Sequence, residues 1–403
     1  MFKQKLGTQT LSRRKTIAIV ANSSWNIYNF RLNLIRTLKQ EGFRIIVIAP
    51  VDEYIHYLNE TKLVKHIPVR HLNPHQKNPI RDLRLSLELY RIYKSYQPDL
   101  ILHYTIKPNI FGSLAARWAK IPSIATITGL GYTFLKLNWV NHLVTKLYRL
   151  AFRKVEKVIF HNEDDQRLFI QNLVLKPVKS TVIPGSGVNT NHYRPLVKPD
   201  TGKFIFLFIG RLLSDKGILE FVEASRQLKS LTQRAECWVL GEIAPQNPNA
   251  ISKENVLQWM DQKHIRYFGK VSDVRAFIRK VDAVVLPSYQ EGMPRALLEA
   301  MAMGKPIITT DTAGCRQTLR DNKNGLIVPV KNAKALLQAM LKMYQFSESE
   351  LAEMGAESRK MVCDKFSDQQ INSAYLNVIQ QAIGLITVSK QPNKQTLSGH
   401  VNE

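Results

Sequence analysis

Two glutamates eight positions apart, in Glu291-Gly-Met-Pro-Arg-Ala-Leu-Leu-Glu299, carry the strongest chemical signal in this chain. Just upstream, Val281-Asp-Ala-Val-Val-Leu-Pro287-Ser288 reads as a short buried strand ending in a turn, and Ala296 to Met303 downstream as a helix stopped by Gly304. Glu291 is therefore expected on the loop at the carboxyl end of a strand, and Glu299 about two turns inside the next helix. Loops at that edge of an open α/β sheet bind ligands. The backbone N–H groups at the helix start, Gly292 to Arg295, suit a phosphate. A second cluster, Gly210-Arg211-Leu-Leu-Ser-Asp-Lys216-Gly217, directly follows the apolar run Phe204 to Ile209. Arg211 as a planar fork and Lys216 as a point charge can together neutralise a diphosphate. Taken singly, the glutamates fit surface acids flanking a helix and the cations fit a solvated loop. Their shared place at one sheet edge favours a site, and a buried carboxylate accepting from two vicinal hydroxyls clamps a ribose well.

The elements that must position these residues form two repeats of alternating strand and helix. Strands are expected at Thr16 to Ala21, Arg44 to Pro50, Leu100 to His103, Ser123 to Ile127, Val155 to Phe160 and Thr181 to Ile183, with helices at Tyr28 to Glu41, Asn78 to Tyr96 and Asn109 to Lys120. The pattern restarts with strand Phe204 to Ile209, helix Ile218 to Lys229, strands Cys237 to Leu240 and Ile265 to Phe268, helix Val274 to Lys280, and strands Ala283 to Leu286 and Pro306 to Thr310. The short apolar runs are continuous, as in parallel strands covered on both faces. The fold class is therefore α/β, with two doubly wound parallel-sheet domains. The Pro-rich stretch Tyr193 to Gly202 is the expected linker. We place a first domain at 1–195, a second at 203–365, a helix at 366–388 packing back on the first domain, and a polar, disordered tail at 389–403.

The 403 residues carry 57 Lys and Arg against 32 Asp and Glu, a net charge of +25. The excess is lopsided: residues 1–200 hold 31 cations against 12 acids, residues 201–403 hold 26 against 20, and residues 101–150 contain no acid. Such a balance points to a polyanionic partner of the first half: nucleic acid, anionic lipid or a diphosphate-bearing substrate. Nucleic acid is the poorest fit, because no recognition helix, RNP-type aromatic set or zinc framework is present. The basic aromatic stretch Tyr132 to Phe160, including Lys136, Trp139, Lys146, Tyr148, Arg149, Phe152, Arg153 and Lys154, fits either a core helix or a surface lying on anionic lipid with aromatics at the interface. No apolar run approaches the roughly 18 residues of a membrane span, and the run Ile17 to Ala21 is too short for a signal peptide. Cys237, Cys315 and Cys363 lack metal-ligand spacing, as expected of a reducing, cytosolic chain.

Glu-x7-Glu after a strand, joined to Gly-Arg-x4-Lys-Gly, resembles the retaining glycosyltransferases of family 4, which have the two-domain GT-B architecture. In the first half, Ser23-Ser-Trp25-Asn-Ile-Tyr-Asn29-Phe-Arg31, His103-Tyr-Thr-Ile-Lys107-Pro-Asn-Ile-Phe-Gly112 and Thr126-Ile-Thr128-Gly129-Leu-Gly131-Tyr132 are similar to bacterial members that build capsule, lipopolysaccharide or lipid-linked oligosaccharides. Ile183-Pro-Gly185-Ser-Gly187-Val188 matches the family's Pro-Asn-Gly-Val loop, with Ser186 and an added glycine. The resemblance covers about residues 15–385.

It implies that Arg211 and Lys216 hold the nucleotide diphosphate and that Glu291 contacts the donor sugar. Gly292, Met293 and Pro294 would set backbone N–H groups toward the phosphates, Glu299 would bind the ribose, and Gly269 and Lys270 would seat the base. Apart from the resemblance, the basic first half offers Arg31, Lys107 and Arg117 as candidates for an acceptor diphosphate, and His103, Thr128, Gly129 and His161 as candidates for the acceptor side, a structural role for either histidine being the alternative. Two departures stand out: Ser23-Ser24-Trp25 replaces a Gly-Gly pair, and Thr128-Gly129 stands where relatives carry a histidine.

The implied activity is metal-independent, retaining transfer of a hexose or N-acetylhexosamine from a nucleotide-sugar donor, UDP-linked, to a lipid-linked glycan acceptor. The protein would sit peripherally on the inner face of the cytoplasmic membrane, with neither metal nor further cofactor and no nucleic acid partner. A nucleotide-sugar 2-epimerase on the same fold, or a basic binding protein without catalysis, are the rival readings.

Overall fold

A computed structural model describes residues 13–73, 78–129, 139–172 and 174–384, with the side chains of 139–141 outside the description. The first domain runs β1 (Thr16–Val20), α1 (Ser24–Gln40), β2 (Arg44–Ala49), α2 (Ile55–Glu60), β3 (Lys65–Pro68), α3 (Pro79–Tyr96), β4 (Leu100–Tyr104), α4 (Ser113–Ala119), β5 (Ser123–Ile127), α5 (Trp139–Ala151), β6 (Lys157–Phe160), α6 (Glu163–Gln171) and β7 (Ser180–Val182). The second runs β8 (Phe204–Ile209), α7 (Ile218–Leu231), β9 (Ala235–Leu240), α8 (Lys253–Asp261), β10 (Arg266–Tyr267), α9 (Arg275–Ile278), β11 (Ala283–Leu286), α10 (Arg295–Ala302), β12 (Ile307–Thr310), α11 (Ala313–Arg316), β13 (Gly325–Val328), α12 (Ala333–Gln345) and α13 (Glu348–Lys365), before α14 (Asp368–Ala382).

Both sheets are parallel and doubly wound. Their strand orders are β3-β2-β1-β4-β5-β6-β7 and β10-β9-β8-β11-β12-β13. In each, the chain reverses its direction of winding at one crevice: between β1 and β4 in the first sheet, between β8 and β11 in the second. Ligands enter open α/β sheets at such switch points, outside the carboxyl ends of the strands.

Local chemistry sets the helix starts. Ser23 accepts from the Asn26 amide and caps α1, so the helix begins at Ser24 rather than at the expected Tyr28. Asn78 caps α3, with Pro79 pre-set in its first turn. Pro294 precedes α10 with no side-chain cap, and the helix starts at Arg295, so Glu299 lies just over one turn inside rather than two. Between β4 and α4 the chain makes a π-helical turn, Pro108–Gly112, where a continuous α-helix was expected. The strands β3 and β13 and the helices α2, α6, α8, α11, α12 and α13 were not anticipated. In α2, α8, α12 and α13 polar and charged groups interrupt the apolar positions, and β13 is only four residues long.

In the described part of the basic aromatic stretch the aromatics are core and the cations are surface. Tyr148, Phe152 and Phe160 are buried with Phe169 under β5 and β6, while Lys146, Arg149, Arg153 and Lys154 face outward. Tyr132, Phe134, Lys136 and the side chain of Trp139 fall outside the described residues, as do Gly131 and the tail 389–403.

The chain crosses between domains twice, side by side. Val188 N–H donates to Phe366 C=O at 2.9 Å, and Asp368 N–H to Val188 C=O at 3.0 Å. After the second crossing α14 packs on α1, and Ile371, Tyr375 and Ile379 join the core beneath β1 and β4. Truncating one of these should therefore weaken the first domain although it follows the second in sequence. Ile379→Ala is expected to lower unfolding stability by about 2–5 kcal/mol, read as a lower urea midpoint for the first-domain transition.

Candidate active site

The loops after β8 and β11 meet at the second sheet's switch point. Gly217 ends the first of them at φ +74°, where a Cβ would stand 2.1 Å from the Pro287 carbonyl oxygen. Glycine thus lets the loop press against the end of β11. Tyr289 N–H and the Ser288 hydroxyl then both donate to Asp215 C=O, at 2.9 and 3.2 Å, tying the loops together. This places Lys216 Nζ 2.5 Å from Glu291 Oε1, a pair shielded from most solvent. Arg211, on the same loop, is exposed, with no side-chain partner among the described residues. The amides of Gly292 and Met293 donate to no group among the described residues. With α10 uncapped, this corner offers free N–H donors, a lysine and a mobile-length arginine toward an anion.

Glu299 is 8% exposed and accepts from Arg295 Nε at 2.9 Å. Tyr193 lies beside it; burial and then the Glu299 charge push its hydroxyl pKa up. Gly269 and Lys270 follow β10, and Lys270 pairs with Glu242 at 3.2 Å, half-exposed at the far side of the same edge. The structure thus brings Lys216, Glu291, Gly292 and Met293 into one corner, with Glu299 deeper and Lys270 further along.

Across the cleft, the first sheet's switch point carries a cavity of about 250 Å³ lined by Asn22, Thr105, Lys107, Asn109, Thr128 and Gly129, among others. These residues come from the loops after β1, β4 and β5. Lys107 pairs with Asp82 at 2.7 Å. Thr105 holds φ +71°, an uncommon conformation for a β-branched residue.

The other residues expected on the acceptor side lie inside the domain. His103 is fully buried, held by the Tyr93 hydroxyl at 2.9 Å and Ser113 Oγ at 3.3 Å, and burial lowers its pKa to about 3. His161 is buried as well; burial and then the Arg31 charge lower its pKa. Arg31 is 2% exposed, its guanidinium 4.0 Å over the Tyr104 ring. Both histidines and Arg31 are thus closed off from solvent. Arg117 is exposed on α4.

Three contacts across the cleft were not foreseen. Asn162 caps α6 and donates from Nδ2 to Asp165 Oδ2 and to Gly292 C=O, both at 3.0 Å. Arg316 Nη1 donates to Asp164 Oδ2 at 3.0 Å. Arg295, besides holding Glu299, donates to Asn29 C=O and lies 5.4 Å over the Phe30 ring. The signal for Asn162 was present as an Asx before an acidic first turn, Glu163-Asp164-Asp165, which marks a helix start. Nothing in the sequence indicated that the cap would reach a second domain. Gly292 also presses on Thr128, whose carbonyl oxygen is 1.8 Å from where a Cβ would be. The loop after β11 and the cavity at the first sheet's switch point are therefore in direct contact.

Two sheets whose switch points face each other across a cleft form the GT-B architecture. The family model "Glycosyl transferases group 1" matches residues 190–361, and "Glycosyl transferase 4-like" matches residues 16–162. The chain is 33% identical over 337 residues to N,N'-diacetylbacillosaminyl-diphospho-undecaprenol alpha-1,3-N-acetylgalactosaminyltransferase of Campylobacter jejuni, covering 79% of this chain and 87% of that one. It is 24% identical to UDP-Gal:alpha-D-GlcNAc-diphosphoundecaprenol alpha-1,3-galactosyltransferase of Escherichia coli, over 66% of this chain and 71% of that one. Among solved structures, a glycosyltransferase from Rickettsia africae superposes with a TM-score of 0.76 at 23% identity, covering 92% of this chain and 99% of that one. Anabaena HepE in complex with UDP gives 0.74 at 17%, over 91% and 100%. The chain belongs to the group 1, family 4-like glycosyltransferases.

Two outcomes test the cleft. Gly292→Ala should push the loop off Thr128 and open the domains while each stays folded, read as a larger radius of gyration with unchanged far-UV circular dichroism. The second concerns Asp165, whose carboxyl burial raises to about 6; the Asn162 hydrogen bond opposes the shift and Asp164 adds to it. A carboxyl raised above its free value of 3.8 favours folding when protonated. Its contribution is full below pH 3.8 and lost as pH climbs through 6. Asp165→Asn, which keeps an acceptor for Asn162, should thus raise Tm at pH 8 and leave it nearly unchanged at pH 4. An equal shift at both pH values would contradict this.

Proposed function

We propose that this protein moves a hexose or N-acetylhexosamine, with retention of configuration, from a UDP-linked sugar to a glycan carried on a membrane lipid diphosphate. The observation that carries the reading is the Lys216–Glu291 pair at one switch point, beside the uncapped start of α10 and against a polar cavity at the opposing switch point. The names of both curated relatives support the acceptor class, since each acts on a sugar held by diphosphoundecaprenol.

In this reading the diphosphate is the leaving group. Lys216, Arg211 and the amides of Gly292 and Met293 neutralise the charge that develops as the glycosidic bond breaks, which is electrostatic catalysis by preorganised donors. Two cations at that point perform the neutralisation that a divalent metal supplies elsewhere, so transfer is metal-independent. Glu291 accepts from hydroxyls of the donor sugar once the diphosphate competes for Lys216. Glu299, oriented by Arg295, accepts from the ribose, and Gly269 and Lys270 border the base. The acceptor sugar occupies the cavity of Lys107, Asn109 and Thr128, and attacks on the face the diphosphate leaves. Without a side chain placed as nucleophile, front-face displacement assisted by the leaving phosphate fits better than a covalent intermediate. The enzyme works peripherally at the inner face of the cytoplasmic membrane.

The test is a donor panel with a polyprenyl-diphosphate sugar acceptor, reading released nucleotide and the glycan product. Lys216→Ala and Glu291→Ala should each lower turnover about 10²–10³-fold while Tm is preserved. Near-normal transfer by either folded variant would remove these residues from the reaction. A C2-epimerised donor formed without acceptor would replace the transferase reading with an isomerase.

A further inference from the structure

Trp25 stands in the first turn of α1, five residues beyond the end of β1, and is 41% exposed. A single exposed apolar residue is ordinary, so the way it is held matters. Its backbone is fixed on both sides. The amide donates to Asp52 Oδ2 at 3.2 Å, and the carbonyl accepts from Asn29 Nδ2 at 3.0 Å. Ser23 caps the helix by accepting from the Asn26 amide, and the Ser24 hydroxyl donates to Pro50 C=O at 3.1 Å. The indole packs against Phe30, with ring centroids 5.3 Å apart and planes at 83°. An edge-to-face contact of this kind restrains a ring without enclosing it. The helix start thus presents a large, flat apolar surface to solvent on a backbone that cannot shift.

The surroundings select what lies on it. Asn22, three residues earlier, lines the switch-point cavity, so the Trp25 backbone is within about 11 Å of that lining even along a fully extended chain. Asn22, Thr105, Lys107, Asn109 and Thr128 give the cavity carboxamide, hydroxyl and ammonium groups. Phe30, the indole's neighbour, also carries the Arg295 guanidinium 5.4 Å over its ring, and Arg295 holds Glu299. The indole is therefore joined on one side to a polar cavity and on the other, through Phe30, to an arginine of the second domain. A pyranose has two kinds of surface, hydroxyls around its rim and C–H groups on its faces. The C–H groups are slightly positive and suit the negative face of an indole, as the edge of another ring does. The hydroxyls suit the cavity. We propose that Trp25 is a specificity-determining residue of the acceptor side, its indole stacking on the face of the acceptor's terminal sugar while the rim hydroxyls reach the switch-point cavity. That this sugar is the acceptor rests on the transferase reading above; the stacking does not. A nucleobase is the rival flat ligand, and its proposed seat, by Gly269 and Lys270, is in the second domain.

The experiment has a binding arm and a kinetic arm. In the first, tryptophan emission of the full chain is followed as methyl N-acetylglucosaminide or uridine is added. The sugar should shift the emission of the wild type and of Trp118→Phe, which removes the other largely exposed indole among the described residues. It should leave the emission of Trp25→Phe unmoved. In the second, transfer is measured to N-acetylglucosamine carried on a polyprenyl diphosphate. Trp25→Ala should raise the acceptor KM about ten-fold, the worth of one aromatic contact. Donor KM and kcat should stay near wild type, as loss of uniform binding requires. Trp25→Phe keeps a ring face and should recover most of the acceptor affinity, whereas Trp25→Leu keeps bulk without a π face and should not. Position 25 is exposed, so Tm should be unchanged in all three. Equal rescue by phenylalanine and leucine would overturn the proposal. So would an emission shift with uridine in place of the sugar, or no sugar-dependent shift in the wild type. A shift that Trp25→Phe abolishes, in a protein that transfers nothing to any acceptor, would uphold the stacking and sink the transferase assignment alone. Transfer by Trp25→Ala at the wild-type acceptor KM would do the reverse.

Discussion

The carbonyl oxygen of Pro287 occupies the space a side chain on residue 217 would need. That close approach of two backbones sets the geometry of the second sheet's switch point. It lets the loop after β8 stack on the end of β11, where Lys216 extends to Glu291. A lysine and a glutamate 75 positions apart in sequence become an ion pair held away from bulk water. Pairing of this kind adds little stability after desolvation is counted. Its value is positional: each member fixes the other at a point where charge would be exchanged with a ligand.

The same principle of contact without side chains operates between the domains. Gly292 meets Thr128 backbone to backbone, and the amide of Asn162 closes the contact from the side. Around it, Arg316–Asp164 and Arg295–Asn29 add polar links. Asn162–Gly292 is buried, Arg295–Asn29 half-buried and Arg316–Asp164 exposed, so the polar links weaken from the centre of the contact outward. The double crossing at Val188 and Phe366 supplies the pivot, and α14 makes the first domain's core depend on the chain's last described helix.

Inside the first domain the structure holds an arginine with no carboxylate partner among the described residues. Arg31 stacks on Tyr104 and neighbours Tyr375 and His161, and several of their polar atoms have no hydrogen-bond partner. The arginine's charge helps keep His161 neutral, and burial does the same to His103. These residues are buried, and the cations that face outward include Arg36 on α1, Lys65 on β3 and Arg167 on α6 as well as those on α3, α4 and α5. The net charge of the first half is thus divided between an internal strut and an external face.

Periodicity and punctuation in the sequence determined the two parallel sheets. Continuous apolar runs such as Phe204 to Ile209 can only be buried on both faces, and glycine and proline mark where each run must turn. The strand-end positions of Glu291, Arg211 and Lys216 follow from that local pattern. The fate of His103, His161 and Arg31 does not. Each stands near the end of a strand or in a helix with nothing local to distinguish a cleft-facing side chain from one turned under its neighbours, and only the packing of α1, α3 and α14 decides. Likewise, Tyr148 and Phe152 read equally well as interface aromatics or as core, until α5 is laid against β5 and β6. Arg295 and Asn162 were visible as residues but not as struts, because their partners lie on another domain. Sequence fixes what each segment can bury over a few turns. Which groups meet across hundreds of residues depends on long-range packing, and only the tertiary structure supplies it.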